Sequence, residues 1–185
     1  YKKKVFNEIG GYDETLFLVE DYDFWLRASL NFSITHINLN LYQYRVHNNS
    51  LTYEIQKDEK VNENHKNGMK MIYKTLANKL QWKVVTRDLL VSPHIGNKVF
   101  LNSYLKYKTI ILNDLKLYEQ KIRSPENSIN KPLWYLLRNQ WNTVKENQRL
   151  TILIKVLIKQ PQLIFFKEFS RKQTLILILK CFKKV

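Results

Sequence analysis

The chain of 185 residues carries a formal net charge of +15, and 44% of its residues are hydrophobic. This length allows one domain or one and a half, and the hydrophobic content excludes a chain that is disordered throughout. Its one cysteine, Cys181, excludes an internal disulfide and a cysteine metal cluster, and no apolar run reaches the roughly 20 residues of a membrane-spanning helix.

The first predicted elements are two helices followed by two strands. Residues 2–9 place apolar side chains on one helical face, and the Gly10-Gly11 pair that follows is a helix stop. A second helix is predicted to start at Glu20 or Asp21, with either acid as its N-cap. Two strands are predicted next, because β-branched and aromatic residues are frequent in both of the following segments, 32–39 and 41–46.

From residue 53 onward the spacing of apolar residues is helical, with breaks at prolines. Helices are predicted at about 55–79, 81–91, 98–123, 131–147, 149–159 and 173–183. The sequence therefore predicts an α/β region over residues 1–52, followed by a mainly α-helical region over residues 53–185, and a chain that is mostly α overall.

The balance of basic and acidic residues also changes between the regions 1–52 and 53–185. Residues 1–52 hold five basic and six acidic residues, whereas residues 53–185 hold the other 26 basic and 10 acidic residues. The first region concentrates carboxylates, and the second suits contact with an anionic surface.

Three acids lie close together in the segment FLVEDYDFWLR, which runs from Phe17 to Arg27. They are flanked by aromatic and aliphatic residues, where an ionised carboxylate is costly to desolvate. Either these acids only cap a helix, or they perform chemistry that needs a carboxylate in a partly dry cleft.

Three blocks of the first region resemble the C-terminal part of the catalytic domain of family 2 glycosyltransferases, in the order and spacing of that family. They are FNEIGGYDE at 6–14, EDYDFWLR at 20–27 and YRVHNNSLT at 44–52. The resemblance covers little more than a quarter of the chain. It implies a GT-A fold and an inverting enzyme that uses a nucleotide-sugar donor. Because Tyr1 is not an initiator Met and the donor-binding half is not visible, we expect a fragment that is inactive alone.

The resemblance also implies site residues. Asp21 matches the general base, which takes the proton of the acceptor hydroxyl, and Glu20 helps to shape the acceptor site. Arg27 lies close to two turns after Glu20, so it can return toward the acidic end and orient it. The alternative for Asp21 is a helix cap without catalytic role. Asp23 is interpreted as a first-turn acid that complements the helix dipole.

A divalent metal, Mn²⁺ or Mg²⁺, is implied by the same resemblance. His47 is the candidate metal ligand, and the alternative is a surface histidine bonded to backbone. Arg45 is predicted to contact the diphosphate of the donor or to pair with the acidic cluster. The remaining histidines have no partner pattern and are interpreted as structural: His36, His65 and His94.

Residues 147–185 contain nine basic residues and a single acid, Glu168, beside wide apolar helical faces. Such faces suit helices that lie in an anionic membrane interface. A helical subdomain that packs these faces against each other explains them equally well, and the two interpretations can coexist.

The sequence thus predicts a hexosyltransferase-like enzyme that transfers a sugar to a saccharide or lipid-linked acceptor. It would be cytoplasmic and peripheral on the inner face of the cell membrane. The alternative is a non-catalytic basic module that binds a membrane surface or a partner. No nucleic acid is expected as a partner, because the basic residues follow amphipathic helices and no recognised nucleic-acid module is visible.

Overall fold

The computed structural model describes residues 3–35, 37–43, 45, 53, 55, 57–96, 101–124, 128–139, 144, 146–165 and 170–182. A short 3₁₀ turn at Ser92–Ile95 follows the fourth helix. The helices are α1 Lys3–Ile9, α2 Glu20–Ser29, α3 Glu59–Leu80, α4 Val84–Val91, α5 Leu101–Lys121, α6 Asn130–Asn139, α7 Glu146–Lys159, α8 Gln162–Phe165 and α9 Arg171–Phe182.

The predicted α/β region is wrong. The part of the chain that the structure describes contains no strand, and residues 32–35 and 37–43 run without regular structure. The aliphatic residues of these segments are more than half exposed: Ile34, Ile37, Leu39 and Leu41. β-propensity reflects how well a side chain fits a half-buried, pleated surface. With no neighbouring strand in the described part of the chain and most of each side chain exposed, the propensity alone does not produce a sheet.

The prediction of a mostly helical chain is confirmed. Helix α1 ends at Gly10, whose φ of +78° is the left-handed conformation expected for a glycine helix stop. Helix α2 begins at Glu20, but Val19 holds the N-cap position and no side chain caps this end. The prediction of Glu20 or Asp21 as the N-cap is therefore wrong, and both acids lie in the first turn instead.

The hydrophobic core is one cluster that includes residues from Leu16 to Ile164. Its centre is formed by α3 and α5, where Ile72 and Ile111 are almost fully buried. Helix α7 adds the fully buried Val156 from the C-terminal side. The loop before α2 and the helices after residue 58 therefore share one interior.

Helix α5 provides acceptors for the starts of two neighbouring helices. The buried Asp114 accepts hydrogen bonds through Oδ2 from the backbone N–H of Lys83 (2.9 Å) and the hydroxyl of Thr86 (2.6 Å), at the start of α4. The buried Glu119 accepts from the backbone N–H of Ile129 at 2.7 Å, just before α6. Both carboxylates lie where helix dipoles favour negative charge.

A glycine inside α3 allows a close approach of the α2 end. A Cβ added at Gly68 would lie 2.6 Å from Cγ2 of Val19. Val19 is almost fully buried and belongs to the shared core. Glycine inside a helix costs about 1 kcal/mol relative to alanine, so its position here is explained by the space that Val19 occupies.

We expect Gly68→Ala to destabilise the fold by up to about 2 kcal/mol, because overpacking at Val19 costs about 1–3 kcal/mol and the gain in helix propensity offsets about 1 kcal/mol of it. Urea unfolding followed by circular dichroism measures this change. In a Val19→Ala background the added methyl has room, so there Gly68→Ala should be neutral or stabilising. A stabilising effect of Gly68→Ala in the wild-type background would contradict the close packing.

Candidate functional site at the start of helix α2

The loop before α2 is fixed by local hydrogen bonds. Oδ1 of Asp13 accepts from the backbone N–H and the hydroxyl of Thr15, at 2.9 and 2.6 Å. These bonds, led by the one from the hydroxyl, lower the pKa of Asp13. Leu18 has a φ of +68°, which is uncommon for a residue with a side chain. This loop conformation places Val19 in the core and Glu20 in the first turn of α2.

The three acids of the first turn have different surroundings. Asp21 is exposed, and its Oδ1 accepts from the backbone N–H of Tyr22 at 2.7 Å. Glu20 is partly buried, and its Oε2 is buried without a hydrogen-bond partner among the described residues. Asp23 pairs with Arg27 at 2.7 Å. All three carboxylates lie in the first turn of α2, at the positive end of the helix dipole.

Aromatic rings surround this turn. Phe24 is fully buried, with its ring stacked on Phe6 at 4.9 Å and edge-on to Tyr12 at 5.2 Å. Trp25 is 42% exposed, and it follows Asp21 by four positions, so the two residues lie on the same face of α2. An exposed carboxylate and a partly exposed indole ring therefore lie side by side on the surface.

Arg27 joins α1 and the loop that follows it to α2 through hydrogen bonds. Its Nε donates to Oδ2 of Asp23, its Nη1 donates to the carbonyl of Ile9, and its Nη2 donates to the carbonyl of Gly11 at 2.8 Å. Arg27 was predicted to orient the acidic end. In the structure its ion pair is with Asp23, and it makes no ion pair with Glu20 or Asp21. Arg27 therefore orients Asp23 directly. It can affect Glu20 and Asp21 only through the backbone of α2.

A cleft of about 320 Å³ lies between the loop, α2 and α3. Leu16 and Ile72 provide apolar lining, and its polar lining comes from Asp13, Asp23, Arg27 and Thr75. Asp21 and Trp25 do not line it, so α2 presents acids to two separate surfaces. Sequence reasoning gave Asp23 no role in a cleft. The spacing of Asp23 and Arg27 along α2 was a sequence signal for their ion pair. Thr75 gave no such signal, because it lies on a different helix, α3.

A partly buried hydrogen-bond network joins α2 to α3 and the 3₁₀ turn. The hydroxyls of Tyr22 and Tyr73 are 2.7 Å apart, and the Tyr73 hydroxyl is 3.3 Å from Nε2 of His94. Desolvation raises the pKa of both tyrosines and lowers the pKa of His94. The network is therefore neutral at pH 7 and fixes α2 against α3 and the 3₁₀ turn, which agrees with the structural interpretation of His94.

Of the predicted metal and diphosphate residues, the structure describes only Arg45. Arg45 is exposed, and among the described residues it makes no ion pair with the acidic cluster. His47 lies outside the described residues. Among the described side chains no group of three or more His, Cys, Asp or Glu residues is placed to hold a metal ion. No metal-dependent step is therefore assigned to the described residues.

Comparison of the chain with protein-family models, curated proteins and solved structures finds no match. The family resemblance therefore depends on the three sequence blocks alone.

Proposed function

We propose that this chain forms the acceptor side of an inverting glycosyltransferase of family 2, which uses a nucleotide-sugar donor and a saccharide or lipid-linked acceptor. The observation that carries the proposal is the position of Asp21, exposed on the first turn of α2 beside Trp25. The three resembling sequence blocks support it. The proposal requires a donor-binding region in addition to the described residues.

In this proposal the Asp21 carboxylate removes the proton of the acceptor hydroxyl as the hydroxyl oxygen attacks the anomeric carbon of the donor. The bond from that carbon to the nucleotide diphosphate breaks on the opposite side, which inverts the anomeric configuration. Asp21 lies in the first turn of α2, at the positive end of the helix dipole, which attracts negative charge. Trp25 offers a flat apolar surface to the acceptor ring.

Glu20 adds an acceptor contact in the same proposal. Its buried Oε2 has no hydrogen-bond partner among the described residues, and an unpaired buried carboxylate oxygen is costly. A hydroxyl of the acceptor that donates to this oxygen would remove that cost. Arg45 and His47 are retained as diphosphate and divalent-metal candidates, because they belong to the third resembling block.

We expect Asp21→Asn, in the protein with its donor-binding region, to lower kcat by about 10²–10⁴-fold, since removal of a general base has an effect of that size. The KM for the donor should change little. The assay measures released nucleotide diphosphate under steady-state conditions. Glu14→Gln is the matched control, because Glu14 is also an exposed acid near this helix, and it should retain wild-type activity. Full activity of Asp21→Asn would remove Asp21 as the base.

A second candidate function is attachment to an anionic membrane surface. Helix α7 buries Ile152, Leu153 and Val156, but several of its apolar residues stay exposed: Leu150, Ile154, Leu157 and Ile158. Helix α9 packs on α7 and exposes Leu175, Ile176 and Leu179. Exposed cations accompany these faces: Lys155, Lys159, Arg171 and Lys172. Among the described helices none is long and apolar enough to cross a bilayer, so this attachment would be at the surface.

We expect the chain to float with vesicles that contain anionic lipid and to bind less as salt rises, because salt screens the lysines. Ile158→Ser should weaken binding by about tenfold or more, since Ile158 is 76% exposed and its burial in the interface would be lost. Leu117→Ser is the matched control, because Leu117 is 59% exposed on α5. Equal binding by both variants would refute an interfacial role of α7.

A further inference from the structure

A second cleft, of about 460 Å³, opens on residues that have no part in the proposed glycosyl transfer. It lies between α3, α4 and the 3₁₀ turn, and its size is in the range of small-molecule sites. Its lining residues are Lys70, Lys74, Arg87, Asp88, Val91, Ser92 and Ile95. Basic side chains from two helices thus face one concave surface.

The charges of this cleft are only partly compensated. Lys70 lies 3.6 Å from Glu63, and both side chains are about half exposed, so water weakens that pair. Arg87 directs Nε and Nη2 to a single oxygen of Asp88, at 2.9 and 2.7 Å. Lys74 makes no ion pair with any described residue. Three cations and one acid leave the lining with a formal charge of +2.

Mutual repulsion makes this arrangement mildly unfavourable without a ligand, since water screens the exposed lysines as it screens the Lys70–Glu63 pair. Lys70 and Lys74 are four positions apart on α3, and like charges at that spacing destabilise a helix. Arg87 adds a third cation from α4. A dianion in the cleft would neutralise the lining charge and relieve the repulsion.

We propose that this cleft binds a phosphate group, as a phosphomonoester or a diphosphate. A phosphomonoester carries close to two negative charges at pH 7 and has three strong acceptor oxygens. Lysine ammonium groups and the guanidinium of Arg87 are the donors that such oxygens prefer. Val91 and Ile95 line the same cleft and provide apolar contact for the organic part of the ligand. The proposal does not depend on glycosyl transfer.

Isothermal titration of the full chain with inorganic pyrophosphate tests the proposal. We expect saturable binding that Lys74→Gln weakens by about tenfold, the effect of losing one charge-assisted hydrogen bond. Lys116→Gln removes one exposed lysine of α5 outside the cleft, and it should bind within about twofold of wild type. Thermal melts of both variants by circular dichroism verify that the fold is retained.

A second titration, with a soluble short-chain phosphatidic acid, distinguishes the sources of the phosphate. Binding of pyrophosphate that depends on Lys74 supports a free or nucleotide-borne phosphate. Binding of the short-chain lipid alone, with the same dependence on Lys74, supports a lipid headgroup. If neither probe distinguishes Lys74→Gln from Lys116→Gln, or if neither binds at about 10 mM, the cleft is a solvated basic surface and the proposal is wrong.

Discussion

Two buried carboxylates on α5 hold the starts of two neighbouring helices in place. Asp114 accepts a backbone hydrogen bond at the start of α4, and Glu119 accepts one just before α6. A buried carboxylate is costly unless hydrogen bonds satisfy it, so the three helices have one favourable arrangement relative to each other. The basic cleft depends on this constraint, because Arg87 faces Lys70 and Lys74 only while α4 keeps its position against α3.

The two surfaces of α2 depend on a different set of contacts. Arg27 ties the end of α1 to α2 through backbone carbonyls, while Tyr22 joins α2 to Tyr73 on α3. Gly68 leaves the space that Val19 needs. The position of Asp21 and Trp25 at the surface is therefore fixed by packing on the opposite sides of the same helix.

The longer helices after residue 58 were predictable because amphipathic periods between proline breaks define them locally, whereas the short α8 was not predicted. The described residues of the two expected strands form no strand, because strand formation needs a partner and a packing surface, and side chains such as Ile37 and Leu39 stay more than half exposed. The start of α2 close to Glu20 and Asp21 followed from sequence, but Val19 as the N-cap did not. The roles of Asp114 and Glu119 did not, since their hydrogen bonds join residues that only the fold brings together.

Native-state hydrogen exchange at the backbone amides of Lys83 and Ile129 tests the role of α5 most directly. The account predicts protection of both amides in the wild-type chain. Asp114→Ala should accelerate exchange at Lys83 by about 10–100-fold with little effect at Ile129, and Glu119→Ala should do the reverse. Exchange of both wild-type amides at the rate of an unstructured peptide would contradict it.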